Sequence, residues 1–592
     1  VLLAAGLVAV IAVRTLILPP LGWDSVTYHG VKVGEFLQTQ GAVVLDTPGG
    51  FHLYRLFPDG AEILTAWTAL PFSSDLLTGL GELLQWLLLW PALRGLAREL
   101  KVDEKLAPWA VLHVMSLPTV IHMLGGGYVE PARNLMVACG AFLLVRGIRL
   151  ISDDPVGRPF IVTGLGAFGM AAAIKVPEFP LAFVSGLILL VFCVRRSVHR
   201  WPSFAMAGLG TTLVFVLPWM IRGIRSTGFP LSPFPISVGG LTLGTATPNT
   251  VWYGQRPDLL PTSLDKELEV LRTVFDFQTL DPIGLGFVTF VMVLALPLTL
   301  MRFGRTSAAG AGVLAVVALA PLVAFYHPGF TVVRLGWTIS SARFLWATAA
   351  IGTLLASAML PVRFRRSASV LLGTMALWFL ATPLLSHVHT TEVSALWLGV
   401  PVLLVIAFGL VWVAGAFEGV RTSLIPVVAI IGLASTLPWL QGVADARRAV
   451  ATDWSRFAEP ITTHWAKSAA LIDDPAIPRV VAIAGGAAQT YDNEMMYFFM
   501  GRRFQNRLVY VAPTADAAIQ PFDSDAGYPK EQLSYPAWVQ GLQDNNVDFV
   551  MTFLPETPEA TWMTERRDQF EPVFEVAYRW GLYRFRSESI GR

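Results

Sequence analysis

The sequence predicts a polytopic α-helical membrane protein with a small soluble α/β domain at its C-terminal end. Three observations predict it. Hydrophobic residues make up 54% of the 592 and charged residues only 14%, against roughly 25% charge in a soluble domain, and mean hydropathy is +0.57. Apolar stretches near the ~20 residues that cross a hydrocarbon core recur along the first three quarters, and helices satisfy their own backbone polar groups there. From about residue 441 the pattern changes to short β-rich runs separated by turns.

About 13 spans are expected, near 2–19, 61–91, 108–125, 132–150, 159–174, 179–194, 203–220, 284–301, 308–326, 343–361, 368–385, 393–417 and 424–440. The first stretch lacks a basic leader and a small-residue cleavage site, so it reads as an anchor helix. Arg94, Arg98, Lys101, Arg146, Arg149, Arg195, Arg196, Arg302, Arg363, Arg365 and Arg366 crowd one set of short loops. The positive-inside rule places these loops and the N-terminus in the cytoplasm, and the C-terminal domain outside, in a plasma (inner) membrane. The outside then carries the first loop (20–60), the 221–283 loop and the tail. Residues 1–440 form the membrane domain and 441–592 the extracytoplasmic one.

In the tail, 479–484, 508–511, 547–552 and 574–585 read as strands, and 489–500 and 536–545 as helices. Gly485-Gly486 fits a plain strand-to-helix turn better than a nucleotide loop, since the glycine pattern is incomplete. A net charge of +1 gives no footprint for nucleic acid. Cys139 and Cys193 fall in apolar stretches and read as core residues, with no disulfide or metal site. No strong internal repeat supports a secondary transporter.

Trp23-Asp24-Ser25-Val26-Thr27-Tyr28-His29 follows the first span directly. As a helix over 24–40, Val26, Val33 and Leu37 share one side, while Asp24, Tyr28 and Glu35 share the other with Lys32 at its flank. This is the pattern of an amphipathic helix lying along the membrane surface, its polar face toward a cavity. Asp24 either caps the helix or acts as a general base. Glu130, in Gly125-Gly126-Gly127-Tyr128-Val129-Glu130-Pro131, sits near the apolar boundary. A carboxylate there needs a partner or water: the acceptor, a divalent ion such as Mg or Mn shared with Asp24, or Arg133. Otherwise it simply starts a helix.

Lys175, Arg222, Arg225 and Arg343 break the scarcity of positive charge on the outer side. They suit a lipid-linked phosphate or snorkel to head groups; Lys175 and Arg343 suit phosphate best, and Arg225 and Arg334 snorkelling. His29, His52, His327, His387 and His389 are outer-side residues. The last two fit a solvated loop better than a metal site, and His113 and His122 read as hydrogen-bonded packing residues.

Taken in order, Trp23-Asp24 with Tyr28-His29, Phe57-Pro58-Asp59-Gly60-Ala61-Glu62, Tyr128-Val129-Glu130-Pro131, Lys175, Pro218-Trp219-Met220-Ile221-Arg222 with Thr227-Gly228-Phe229-Pro230, and Ala342-Arg343-Phe344-Leu345 resemble the GT-C glycosyltransferases. These include protein O-mannosyltransferases, aminoarabinose transferases of lipid A and RgtA/B/C/D-like enzymes. Each motif is short; their shared order covers about 20–350. The resemblance implies a polyprenyl-phosphate sugar donor, a hexosyl or pentosyl group transferred with inversion, and an extracytoplasmic acceptor that is glycan, lipid or protein. It implies Asp24 and Glu130 as catalytic residues and Lys175, Arg343 and Arg222 as phosphate ligands. Tyr28, His29, Lys32, His52, Arg55 and Tyr128 are the expected cavity residues. Gly223 and Phe229 stand where relatives commonly have Asn, and Lys32 where many have Arg, which leaves the substrate open. A lipid or polysaccharide transporter and a noncatalytic scaffold are the competing classes.

Overall fold

A computed structural model describes residues 2–17, 19–41, 54, 56–121, 123–151, 156–196, 198, 201–231, 236–238, 241–243, 287–326, 342–386, 463–484, 495–516, 530–552, 557–576 and 580–587. The sequence runs as helices α1 (Leu2–Ile17), α2 (Gly30–Thr39), α3 (Gly60–Ala69), α4 (Thr78–Glu99), α5 (Ala107–Met115), α6 (Glu130–Leu150), α7 (Gly157–Ile174), α8 (Phe179–Arg195) and α9 (Trp201–Thr227). A short hairpin follows, β1 (Ile236–Val238) with β2 (Leu241–Leu243). Then come α10 (Phe287–Leu294), α11 (Leu296–Gly304), α12 (Ala308–Tyr326), α13 (Trp346–Met359) and α14 (Val362–Ser386). Among the described residues, 130–150, 157–174, 176–195 and 201–227 are long and apolar enough to cross a bilayer. The chain is an integral membrane protein.

α6 lies at the centre of the bundle, packed by α4, α7, α12 and α13. Its small residues allow close approach: at Gly140 a side chain would strike the Phe168 ring of α7. Outward-facing Leu187, Val191, Val214 and Leu298 stay 46–68% exposed, as a lipid-facing surface requires. The expected span over 61–91 is two helices. Leu70-Pro71 and Asp75–Leu77 interrupt it, so α3 lies apart and α4 begins at Thr78. The expected 108–125 span also breaks. Pro118 has no N–H for the Val114 carbonyl, and the Trp346 indole donates to that oxygen at 3.2 Å, as the Trp86 indole does to Met115 at 3.0 Å. His113 pairs Nε2 with Thr289 at 2.9 Å. His52, Arg55, His122, His327, Arg334, His387, His389, Gly485-Gly486 and the spans near 393–440 lie outside the described residues.

The described residues of the C-terminal part hold α15 (Thr463–Ala470), α16 (Tyr535–Asp544), α17 (Pro558–Glu565) and a five-stranded sheet. The strands are β3 (Val480–Ala484), β4 (Arg507–Tyr510), β5 (Phe549–Thr552), β6 (Phe570–Val576) and β7 (Trp580–Phe585), in the order β4-β3-β5-β7-β6. β3 pairs in parallel with β4 and β5, and β7 antiparallel with β5 and β6. The described part of the helix expected over 489–500 is a 3₁₀ turn, Met496–Met500.

That turn explains the largest difference from the sequence reading. Residues 25–36 are buried throughout, so the first-loop helix does not lie open on a membrane surface. The C-terminal domain covers it. Val26, Val31, Val33 and Phe36 share one apolar cluster with Tyr497, Phe498, Phe499, Met500 and Phe504. Gly30 and Gly34, one turn apart, make the room: a Cβ would lie 2.5 Å from the Tyr497 ring at Gly30 and 2.5 Å from Met500 at Gly34. The Gln38 amide donates to the Phe504 and Asn506 carbonyls at 2.8 and 2.7 Å. The Tyr497 hydroxyl donates to Asp75 at 3.0 Å.

Two outcomes are expected. Gly34→Leu overpacks this contact and costs on the order of 1–3 kcal/mol, read as a lower Tm and faster proteolysis between the two parts. Asp75, between α3 and α4, has its carboxyl raised to about 7 by burial. The folded chain therefore holds that proton more tightly than the unfolded one, so stability is fullest below the ordinary carboxyl range and falls as pH rises to about 7. Asp75→Asn removes that decline; an unchanged pH–Tm curve refutes it.

Candidate active site at the first-loop face

Asp24 and Glu130 come from segments 106 residues apart and are joined by one guanidinium. Arg343, just before α13, donates Nη2–H to Asp24 Oδ2 at 2.6 Å and lies 3.2 Å from Glu130 Oε1 through Nε. Lys175, at the end of α7, donates to the same Glu130 oxygen. Arg343 is 8% and Glu130 1% exposed, so each charge needs the others. Rings line the cations: Phe344 lies 4.3 Å from the Lys175 ammonium, and Tyr128 5.4 Å from the Arg343 guanidinium. Burial brings the Lys175 ammonium down to about 8, against the opposing pull of Glu130. Burial, and next the Asp24 carboxylate, hold the Tyr28 phenol well above its usual range. Its hydroxyl points to Asp24 Oδ2 at 3.5 Å.

The local sequence explains how these groups arrive. Asp24 itself has helical φ and ψ and makes no cap hydrogen bond, so its carboxylate is free to reach Arg343; the capping reading fails. The Gly125–Gly127 turn delivers Glu130. Gly125 and Gly127 have φ of +78° and +76°, and a side chain at Gly127 would sit 2.3 Å from Ser25 Oγ. Backbone N–H groups of Gly125 and Gly127 donate to the buried Glu82 carboxylate at 2.7 and 2.9 Å, and Gly22 N–H to Gly126 O at 2.9 Å. Pro131 falls in the first turn of α6, where its missing N–H costs no hydrogen bond. Arg133 does not pair with Glu130. It pairs with Glu178 and donates to the Arg343 and Phe344 carbonyls at 3.3 and 3.0 Å, fixing the backbone that carries Arg343.

Lys32 and Arg222 form a second, separate set. Lys32 is fully buried, donates to Asp59 at 2.8 Å and lies 3.7 Å from Glu62. Arg222 pairs with the other Asp59 oxygen and donates to the Phe57 carbonyl. Arg222 is thus tied to Asp59 rather than grouped with Lys175 and Arg343. His29 Nδ1 lies 2.7 Å from Glu62 Oε1. Sequence reasoning missed Asp59, Glu62, Glu82 and Glu178 as site residues. Glu82 carried a signal, an acid inside an apolar stretch. Between Asp24 and Glu130 the guanidinium takes the bridging place, and no group of three His, Cys, Asp or Glu side chains suited to a metal occurs among the described residues. The described residues do not fit the divalent ion.

Below this face, α7, α8 and α9 enclose an apolar groove of about 460 Å³. Its lining runs from Ile161 and Cys193 to Phe179 and Met220, which stand four residues after Lys175 and two before Arg222 in the sequence.

Two crystal structures of ArnT from Cupriavidus metallidurans align with nearly the whole chain. The apo form gives a TM-score of 0.52 at 13% identity over 99% of this chain and 98% of that one. The form bound to undecaprenyl phosphate gives 0.50 at 14% identity over 98% and 97%. The fold is the GT-C fold. An oligosaccharyltransferase of Archaeoglobus fulgidus, AglB, in complex with an inhibitory peptide and a dolichol-phosphate, aligns at a TM-score of 0.40 and 11% identity over 99% of this chain and 74% of its own. No family model matches the sequence, and no curated protein matches it.

Arg343→Met leaves Asp24 and Glu130 without their shared partner and costs on the order of 3–5 kcal/mol. Combining it with Asp24→Asn is expected to recover part of the loss, measured as a double-mutant cycle in Tm or denaturant unfolding. Strict additivity of the two changes refutes the coupling.

Proposed function

We propose that the protein is a membrane glycosyltransferase that moves a sugar from a polyprenyl-phosphate donor to an acceptor on the extracytoplasmic side of the inner membrane. The observation that supports this reading is the pairing of the cations Lys175 and Arg343 with two buried or part-buried carboxylates in a chain that also holds an apolar groove fit for a lipid chain between α7, α8 and α9. The donor's tail lies between α7, α8 and α9, and its phosphate takes Arg343 and Lys175. As the sugar carbon–oxygen bond breaks, charge grows on the phosphate, and these cations meet it in a site of low dielectric.

Asp24 is the base. Both its contacts fall on Oδ2, which leaves Oδ1 for the hydroxyl or amine of the acceptor. Once phosphate engages Arg343, the carboxylate is released from its ion pair and is free to meet the acceptor. The acceptor oxygen or nitrogen bonds to the sugar carbon with inversion, its proton passes to Asp24, and the lipid phosphate leaves as the monoester. Glu130 holds Lys175 and positions Arg343. Arg222, with Lys32 and Asp59, supports the rim of the groove. The similar ArnT structure bound to undecaprenyl phosphate supports a lipid phosphate donor in general terms. The ionisable clusters gather at one face, as transfer at a membrane boundary requires; a transporter places them at mid-depth.

The test is transfer by purified protein from a panel of polyprenyl-phosphate sugars. Asp24→Asn is expected to lower kcat on the order of 10²–10⁴-fold with donor binding retained. Full activity in Asp24→Asn removes Asp24 as the base. No transfer from any donor, together with lipid flux in vesicles, favours the transporter.

A further inference from the structure

Glu82 is an acid on the membrane helix α4, 2% exposed, with no part in the transfer step proposed above. Its described partners are two backbone N–H groups, one to each oxygen: Gly125 donates to Oε2 at 2.7 Å and Gly127 to Oε1 at 2.9 Å. Backbone N–H groups that converge in this way make an anion-binding concavity, and its occupant here is a side chain of the same protein. The positive φ of both glycines makes the convergence possible. The turn is also packed tightly. A Cβ at Gly125 would lie 3.2 Å from the Thr15 backbone of α1, and one at Gly126 2.8 Å from the Tyr128 ring.

The turn carries both carboxylates of the candidate site. Glu130 stands three residues after Gly127. Asp24 is held to the turn from both sides. Before it, Gly22 N–H donates to the Gly126 carbonyl at 2.9 Å and Trp23 N–H to the Tyr128 hydroxyl at 3.2 Å. After it, Ser25 Oγ packs where a Gly127 side chain would stand. The cations have other supports. Lys175 lies at the end of α7, and Arg343 is carried by backbone that Arg133 and Glu178 fix. Moving the turn therefore displaces Asp24 and Glu130 relative to Lys175 and Arg343.

We propose that Glu82 is a positioning residue of this site: through the Gly125–Gly127 turn, its carboxyl group sets where Asp24 and Glu130 stand around Arg343. Its effect on transfer rests on the lipid-phosphate reading above. Glu82 does not touch the reacting atoms. Glu82→Gln keeps the shape and one acceptor oxygen but turns an amide NH2 donor toward one glycine N–H. One of the two bonds is then lost, and the turn is free to shift. A base displaced from its acceptor costs rate while the donor's own contacts remain.

Two measurements on the full-length protein in detergent test this. The first needs no substrate: the coupling between Asp24 and Arg343, read by the Asp24→Asn and Arg343→Met cycle in denaturant unfolding, with and without Glu82→Gln. The coupling is expected to shrink in the Glu82→Gln background. An unchanged coupling overturns the inference and leaves the donor reading standing. The second is transfer from polyprenyl-phosphate sugars. Glu82→Gln is expected to lower kcat on the order of 10–100-fold with donor Kd unchanged. A lower Tm with kcat per folded molecule unchanged makes Glu82 a residue of the fold alone and overturns the inference. So does a parallel loss of kcat and donor affinity. If Glu82→Gln does not fold, Glu82→Asp, which keeps both oxygens but withdraws them by one methylene, replaces it in both measurements. No transfer by the unaltered protein overturns the donor reading, and the coupling then decides whether Glu82 places Asp24.

Discussion

The arrangement of this face depends on a single guanidinium that cannot stand alone. Arg343 is nearly inaccessible to solvent, and its charge is met by Asp24 from the first loop and Glu130 from the start of α6. Glu130 in turn holds Lys175 at the end of α7. Leaving any one of these ions buried and unpaired costs several kcal/mol, so four segments distant in sequence are fixed relative to one another. The constraint extends one layer back. Arg133 holds the Arg343 and Phe344 carbonyls, and Glu178 holds Arg133. Such ion pairs add little net stability over apolar packing; what they supply is a specified geometry.

That geometry has a consequence for any anionic ligand. The cations are already satisfied, so a phosphate must take over positions that carboxylates hold. The exchange is feasible because phosphate offers the same charge and acceptor geometry. It also makes binding and activation one event: a ligand that engages Arg343 loosens Asp24, the proposed base. An apolar lipid without phosphate can fill the groove but cannot make that exchange. On the proposed reading, discrimination for a phosphorylated lipid would be built into the ion pairs rather than into the groove.

Much of the fold and part of the site were legible in the sequence. Apolar length marked α6, α7 and α8 to within two residues at each end, because a hydrocarbon core sets a length that composition reveals directly; α9 runs seven residues past the expected end at 220. Asp24, Glu130, Lys175 and Arg343 stood out for one reason: charge near an apolar boundary is expensive. Their joining was not legible, since ion pairs across some 200–300 residues of sequence leave no local pattern. The break at 70–77 was hidden because Leu70, Phe72, Leu76 and Leu77 keep the stretch apolar while Pro71 and Asp75 interrupt it. The partners Asp59, Glu62 and Glu178 look like ordinary helix-start acids; only three-dimensional packing sets them against Lys32, His29 and Arg133.

The first-loop helix shows where a sound periodicity argument met a competitor. Its amphipathic pattern is real, and lipid is one partner that can cover an apolar face. The C-terminal domain is a better one. Gly30 and Gly34 admit Tyr497, Met500 and Phe504 at closer range than any other residue type allows, and Gln38 secures the edge with two hydrogen bonds to backbone carbonyls. A helix floating among head groups would let Asp24 and His29 wander by ångströms. Clamped between a protein domain and the bundle, it holds both side chains to fixed partners, and a base that must meet an acceptor and a sugar carbon together requires that. Among the described residues the C-terminal domain lends the Asp24–Arg343–Glu130 cluster no charged group; what it supplies is apolar packing that removes the freedom of the segment carrying Asp24, the proposed base.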